Sequence, residues 1–201
     1  MPFDYSNAPP PRDIELIPDG TVATINTHLR PGGAREGGLL KRSKDGSCEM
    51  LDVEFTLVDG RYKGRKLWNY FVVNGTTQGQ AQAVEISQGW LKAILDCALG
   101  LKPDDMSAQA RAARTVDYKD FEGMTFIGKI GVEKGKPKND GSGENWSDKN
   151  VLAAVITPDK KDWHPVEQPP PFNGGGAGAG AQAAAAPANT AAPVARPGWA
   201  Q

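Results

Sequence analysis

Histidine and cysteine are scarce here, two of each in 201 residues. Cys48 and Cys97 stand far apart in no CxxC arrangement, and His28 and His164 are as widely separated. Four such dispersed residues do not make a zinc site, and they give no disulfide framework. A long apolar run is missing too, as is a leader with a basic start and a short apolar middle. The expectation is a soluble, cytoplasmic protein with no membrane contact. Catalytic signatures are equally thin. There is no GxSxG, and neither histidine has an evident nucleophile beside it. Gly135-Lys136 is followed by Pro137, and Ile130 stands where a phosphate loop needs its first glycine. No DxD or ExD cluster offers itself to a metal. The sequence therefore predicts no enzyme, no cofactor, no metal and no catalytic residue.

Core-forming and acidic residues desert the C-terminal stretch. From Gln168 the chain reads QPPPFNGGGAGAGAQAAAAPANTAAPVARPGWAQ, with no acidic residue and one arginine. Such a Gly/Ala/Pro segment cannot bury enough apolar surface to offset the entropy of ordering it. Residues 168–201 are thus expected to be a disordered tail. Pro9, Pro10 and Pro11 mark residues 1–13 as a flexible N-terminal arm. That leaves 14–167 as one domain, a size at which a single core is usual.

What is present is a series of strand patterns. Gly20 to Leu29 alternates, with Ala23, Ile25, Thr27 and Leu29 on one side. A second strand runs from Cys48 to Val58, with Leu51, Val53, Phe55 and Leu57 inward and Asp52, Glu54 and Thr56 outward. A third covers Arg65 to Val73, where Leu67, Phe71 and Val73 alternate with Lys66, Trp68, Tyr70 and Val72. Between Gln80 and Leu99, residues Val84, Ser87, Leu91, Ile94, Leu95 and Ala98 recur at helical spacing, and Gly100 supplies a stop. Pro103 to Arg114 predicts a second short helix, its start marked by Asp104-Asp105. A fourth strand from Met124 to Val132 and a fifth from Asn150 to Ile156 complete the order. Three strands, a helix and two strands predict a mainly-β fold, a five-stranded OB-like barrel with a helix between strands 3 and 4. A five-stranded meander with a helical insert fits the same order.

The net charge of −1 hides an uneven distribution. Residues 30–44 carry Arg30, Arg35, Lys41, Arg42 and Lys44 against Glu36 alone, and residues 60–66 carry Arg61, Lys63, Arg65 and Lys66 with no acid. The rest of the chain must be strongly acidic, so a basic groove on an acidic body is expected. In an OB barrel the ligand crosses strands 2 and 3, framed by the loops joining strands 1–2 and 4–5. Both loops are long here, and the second carries Lys134, Lys136, Lys138 and Trp146. In RYKGRKLWNY basic and aromatic residues interleave, and Trp68 and Tyr70 share a strand face with Lys66. Cations that track phosphates and rings that stack on unpaired bases are the two requirements of single-strand binding. The candidate nucleic-acid-binding residues are Lys41, Arg42, Lys44, Arg61, Lys63, Arg65, Lys66, Trp68, Tyr70, Lys134, Lys136, Lys138 and Trp146. A tryptophan in a strand is equally at home in a core, so that alternative for Trp68 stays open. Trp90 and Trp163 read as packing residues.

The segment VEFTLVDGRYKGRKLWNYFVV, with the later GKIGVEKGK and DKNVLAAVITP and an opening that joins FD to a PDG-T-V strand start, carries a resemblance. It resembles a phage-encoded family of formally unknown function, met among replication and recombination genes. The resemblance spans about residues 3–160 and is most specific at GRK-x-W. That family is similar to single-stranded-DNA-binding proteins. The resemblance implies sequence-tolerant binding of single-stranded DNA during phage or prophage replication and recombination, in the host cytoplasm. Replication or recombination proteins are further partners it implies, and a homo-oligomer is compatible with it. Bacterial single-strand binders end in a short acidic tip, whereas this chain ends PVARPGWAQ. That departure puts recruitment by an acidic tip in doubt. The alternative function is an OB-like adaptor that grips a replication or recombination enzyme.

Overall fold

A computed structural model describes residues 15–34, 38–139 and 142–168. The expected arm at 1–13, the tail beyond Gln168 (Trp199 included) and Arg35 lie outside the described residues.

Alternating residues build β1 (Val22–Leu29), β3 (Cys48–Leu57) and β4 (Lys66–Gly75), largely apolar or small runs build β5 (Thr125–Glu133) and β6 (Lys149–Val155), and the short β2 (Leu40–Arg42) precedes β3. All pairings are antiparallel and join the strands in one sheet along the path β4–β3–β1–β5–β6. One edge of β3 is divided: β1 pairs with Val53 to Leu57, and β2 with Glu49 to Leu51. The other edge belongs to β4. β4 and β6 end the path and approach each other without pairing, so the sheet is open.

The fold is mainly β with six antiparallel strands in an open sheet, where the sequence predicts a five-stranded OB-like barrel. The extra strand is β2, and three residues are too few to reveal themselves by alternation. The turn behind it makes it. Asp45 accepts hydrogen bonds from Ser43 Oγ (2.6 Å), Ser47 N (3.1 Å) and Ser47 Oγ (2.9 Å), and Gly46 takes a left-handed φ of 73°. Those donors, Ser43 first, hold the Asp45 carboxyl at about 2.

One face of the sheet closes around Phe55, which meets Phe71 edge-on at 6.3 Å and Phe126 at 5.6 Å between ring centroids. Helix α1 (Gln78–Leu99) lays Leu91, Ile94, Leu95 and Ala98 on the same core. It opens on a capping box, with Thr77 Oγ1 accepting from Gln80 N and Gln80 Oε1 accepting from Thr77 N. It ends at Gly100, whose φ of 68° only glycine adopts freely. Cys97 Sγ accepts from Ile127 N at 3.1 Å, linking α1 to β5, and burial pushes its thiol pKa up. Trp90 and Trp163 are partly buried against this core.

Helix α2 is Ala108–Ala113, and a 3-10 turn follows at Tyr118–Phe121. Asp104 and Asp105 do not open α2. Ser107 caps it, its Oγ accepting from Ala110 N, while Asp105 accepts from Ser107 N before the helix begins. A hydroxyl immediately before the helix reaches its free amides, and carboxylates further back do not. Gln168, expected as the first tail residue, bonds to Thr125 N and O and to Ala98 O, so the packed domain reaches at least that far. Among the described residues no helix is long and apolar enough to cross a membrane, and no group of three His, Cys, Asp or Glu could hold a metal ion.

Candidate functional site

β4 pairs with β3 so that Glu54 stands opposite Trp68 and Asp52 opposite Tyr70. Leu67 and Phe71 are buried, so Lys66, Trp68 and Tyr70 point away from the core. Trp68 is 56% exposed and Tyr70 48%, which removes the core alternative for Trp68.

Each ring has a carboxylate as its cross-strand partner. Glu54 Oε2 accepts from Trp68 Nε1 (3.3 Å), and its Oε1 accepts from Lys66 Nζ (2.6 Å). Lys66 foremost draws the Glu54 carboxyl below its ordinary value. β1 adds His28 opposite Glu54, and His28 Nδ1 lies 2.7 Å from Glu122 Oε1. In the next row Lys41 Nζ donates to Tyr70 Oη (3.2 Å) and lies 4.9 Å from the ring centroid. Asp52 Oδ2 is 3.5 Å from the same ammonium. Tyr70 first, then Asp52, raises the Lys41 pKa. Arg30 Nη1 stands 3.8 Å from Asp52 Oδ1. Asp52 is only 3% exposed, and its Oδ1 is buried without a hydrogen-bond partner.

The remaining candidates fall elsewhere. Arg42 pairs with Glu49 (3.0 Å), and Lys44 is exposed in the turn between β2 and β3. In the β3–β4 connection Arg61 pairs with Glu15 (3.4 Å), Arg65 Nη1 donates to the Glu15 carbonyl (2.9 Å), and Lys63 is exposed. The β5–β6 connection forms a hairpin arm, in which Lys138 N donates to Glu144 O and Trp146 N to Lys136 O, both at 2.8 Å. Gly135 permits the arm to close, because a Cβ there would overlap the Trp146 carbonyl. Lys134 pairs with Asp148 (2.7 Å), Lys136 lies 4.0 Å from Glu133, and Lys138 pairs with Glu144. The first pair raises the Lys134 pKa and lowers that of Asp148. Trp146 is 64% exposed, with Lys138 Nζ 5.7 Å from its ring.

The outward face of β3 and β4 thus offers two exposed rings, with a Glu54 oxygen at the rim of Trp68 and Asp52 across the strand pair from Tyr70, and the cations beside those rings are held by carboxylates. The sequence reading finds the rings and the cations but leaves Asp52, Glu54, Arg30 and His28 out of the candidate set. The signal for three of them is in the alternation, since His28, Asp52 and Glu54 occupy the polar phase of β1 and β3. No family model and no curated protein matches this sequence.

Proposed function

We propose that the outward face of β3 and β4 binds single-stranded DNA in a sequence-tolerant way, in phage or prophage replication or recombination. The observation that carries this reading is the pair Trp68 and Tyr70, two exposed rings on one face of one strand. Two residues of strand separate them by about 6.8 Å, a step that neighbouring bases of a stretched strand can follow. Each base stacked on a ring contributes about 1–3 kcal/mol. In this reading Lys44, Lys63 and Arg65, which have no carboxylate partner among the described residues, take phosphates. The same reading treats the open sheet and α1 as a partly open OB-type barrel of β1, β3, β4, β5 and β6, with β2 added to it. Its support is the strand path and the approach of β4 to β6.

A second reading, an adaptor for a replication or recombination enzyme, draws on a different feature. Asp52 and Glu54 already neutralise cations on this face, which suits a polypeptide partner as well as a polyanion.

Trp68→Ala separates function from folding when melting temperature and affinity are measured on the same variant. The exposed ring contributes little packing, so the melting temperature should stay close to the parent's. Affinity for a single-stranded oligonucleotide should fall by about 1–3 kcal/mol. The parent should also prefer that strand to its duplex. Undiminished binding by the variant, or a preference for duplex, would overturn the single-strand reading.

A further inference from the structure

Each ring of the proposed interface has a carboxylate opposite it, Glu54 for Trp68 and Asp52 for Tyr70. We infer that this face discriminates among bases, favouring those with an exocyclic amine over those with a carbonyl at the same ring position. The inference rests on the single-strand reading above and sets a preference within its sequence tolerance, since every base still has a face to stack.

An ionised carboxylate only accepts hydrogen bonds. Cytosine presents an N4 amine, a donor, where thymine presents the O4 carbonyl, an acceptor. A base lying on Trp68 therefore meets a favourable rim at Glu54 if it carries the amine, and two opposed acceptors if it carries the carbonyl. Trp68 Nε1 is tied to Glu54 Oε2, so ring and acceptor are fixed relative to each other before any base arrives. Asp52 makes the same demand only when uncovered. Its Oδ1 is buried without a hydrogen-bond partner, 3.8 Å from Arg30 Nη1, and its Oδ2 lies under Lys41. Lys41 covers Asp52 and Tyr70 together. A phosphate that draws Lys41 outward uncovers the carboxylate beside the ring, where a base amine can replace the lost ammonium. The aromatic–acid pairing occurs twice, at successive outward positions of one strand pair, so two neighbouring bases meet the same rule.

The test uses the full chain at neutral pH with labelled dodecamers of deoxycytidine, deoxyuridine and thymidine, read by fluorescence anisotropy. Cytosine and uracil differ at ring position 4 and at N3, bare in cytosine and protonated in uracil, and thymine adds only a methyl group to uracil. The cytidine strand should bind on the order of tenfold tighter than the uridine strand, with thymidine grouped beside uridine. In Glu54→Gln one amide oxygen replaces two carboxylate oxygens, so only one of the contacts to Trp68 and Lys66 keeps its acceptor, and the amide NH2 adds a donor for a carbonyl; the ratio should fall toward one. Equal affinity for all three strands, tighter binding of uridine, or an unchanged ratio in a folded Glu54→Gln would overturn the inference and leave single-strand binding standing. Should Glu54→Gln lose the parent's melting transition, Asp52→Asn is read for the same loss of ratio. Binding to none of the strands would instead overturn the single-strand reading itself.

Discussion

Asp96 has no exposed surface, and its carboxylate is bracketed by Lys92 Nζ at 2.7 Å and Arg114 Nε at 2.6 Å. Arg114 also donates to the carbonyls of Lys102 and Asp105, and Lys92 to that of Pro103. One buried acid thereby pins α1 to the connection that leads into α2. Arg114→Ala strips the carboxylate of its better-buried partner and leaves two carbonyls without their donor. Breaking a buried pair from one side costs about 3–5 kcal/mol, so a thermal melt should show a large fall in stability. Arg114→Lys should recover only part of it, because an ammonium cannot reach three acceptors as a planar fork does. An unchanged melting temperature in Arg114→Ala would mean the cluster is ornamental. None of this is legible in the chain, where Asp96 reads as one more helix position and Arg114 as the end of a weak helix. They meet only because the intervening connection folds back. Trp68 and Tyr70 are the opposite case, since period-two alternation with Leu67 and Phe71 is enough to set them outward. Asp52 lies between these cases. Its phase is outward, yet Arg30, Lys41 and Tyr70, brought by neighbouring elements, cover it.

At the scale of elements, α1 carries a defect that packing does not require. Gly89 sits mid-helix on the exposed side, and a Cβ there would meet nothing within 4 Å. Glycine in a helix interior costs about 0.5–1 kcal/mol relative to alanine. Gly89→Ala should therefore raise the melting temperature by a matching amount, and a fall would mean that a hidden contact needs the gap. The helix itself is legible because its apolar stripe and its glycine stop agree with one another, while the capping box at Thr77 shows only in the structure. The strands are legible for a similar reason: Cys48–Leu57 and Lys66–Gly75 differ from their expected spans by only one or two residues at an end. What escapes is pairing. β2 exists only because an Asp45 turn returns the chain along β3, and the β5–β6 arm only because Pro137 and Asn145 bridge across a connection that reads as a long polar loop. Both are facts about two segments meeting, and alternation within one segment carries no trace of them.

Over the whole molecule, the basic segments of an acidic chain turn out to be largely neutralised where they stand, and this sets the salt dependence of any binding. A cation that leaves a protein carboxylate for a phosphate releases the phosphate's counterion but exposes a carboxylate that takes one up. Its net contribution to the salt slope is near zero. Among the described residues, Lys44, Lys63 and Arg65 are the candidate cations with no carboxylate partner. For single strands log K falls with log salt at about −0.7 per phosphate neutralised, so these three give a slope of about −2. If every cation in the candidate set acted, the slope would be about −7. Anisotropy titrations of one oligonucleotide across a salt series distinguish the two. Lys63→Ala should then make the slope shallower by about 0.7. Lys66→Ala should leave the slope almost unchanged, because its loss frees Glu54 instead of a phosphate. A steep slope, or an equal response to both substitutions, would mean that the ion pairs of the β3–β4 face dissolve without consequence for binding. A slope near zero with affinity intact would take the phosphates out of the mechanism and favour the adaptor, whose contacts with a protein partner release few counterions.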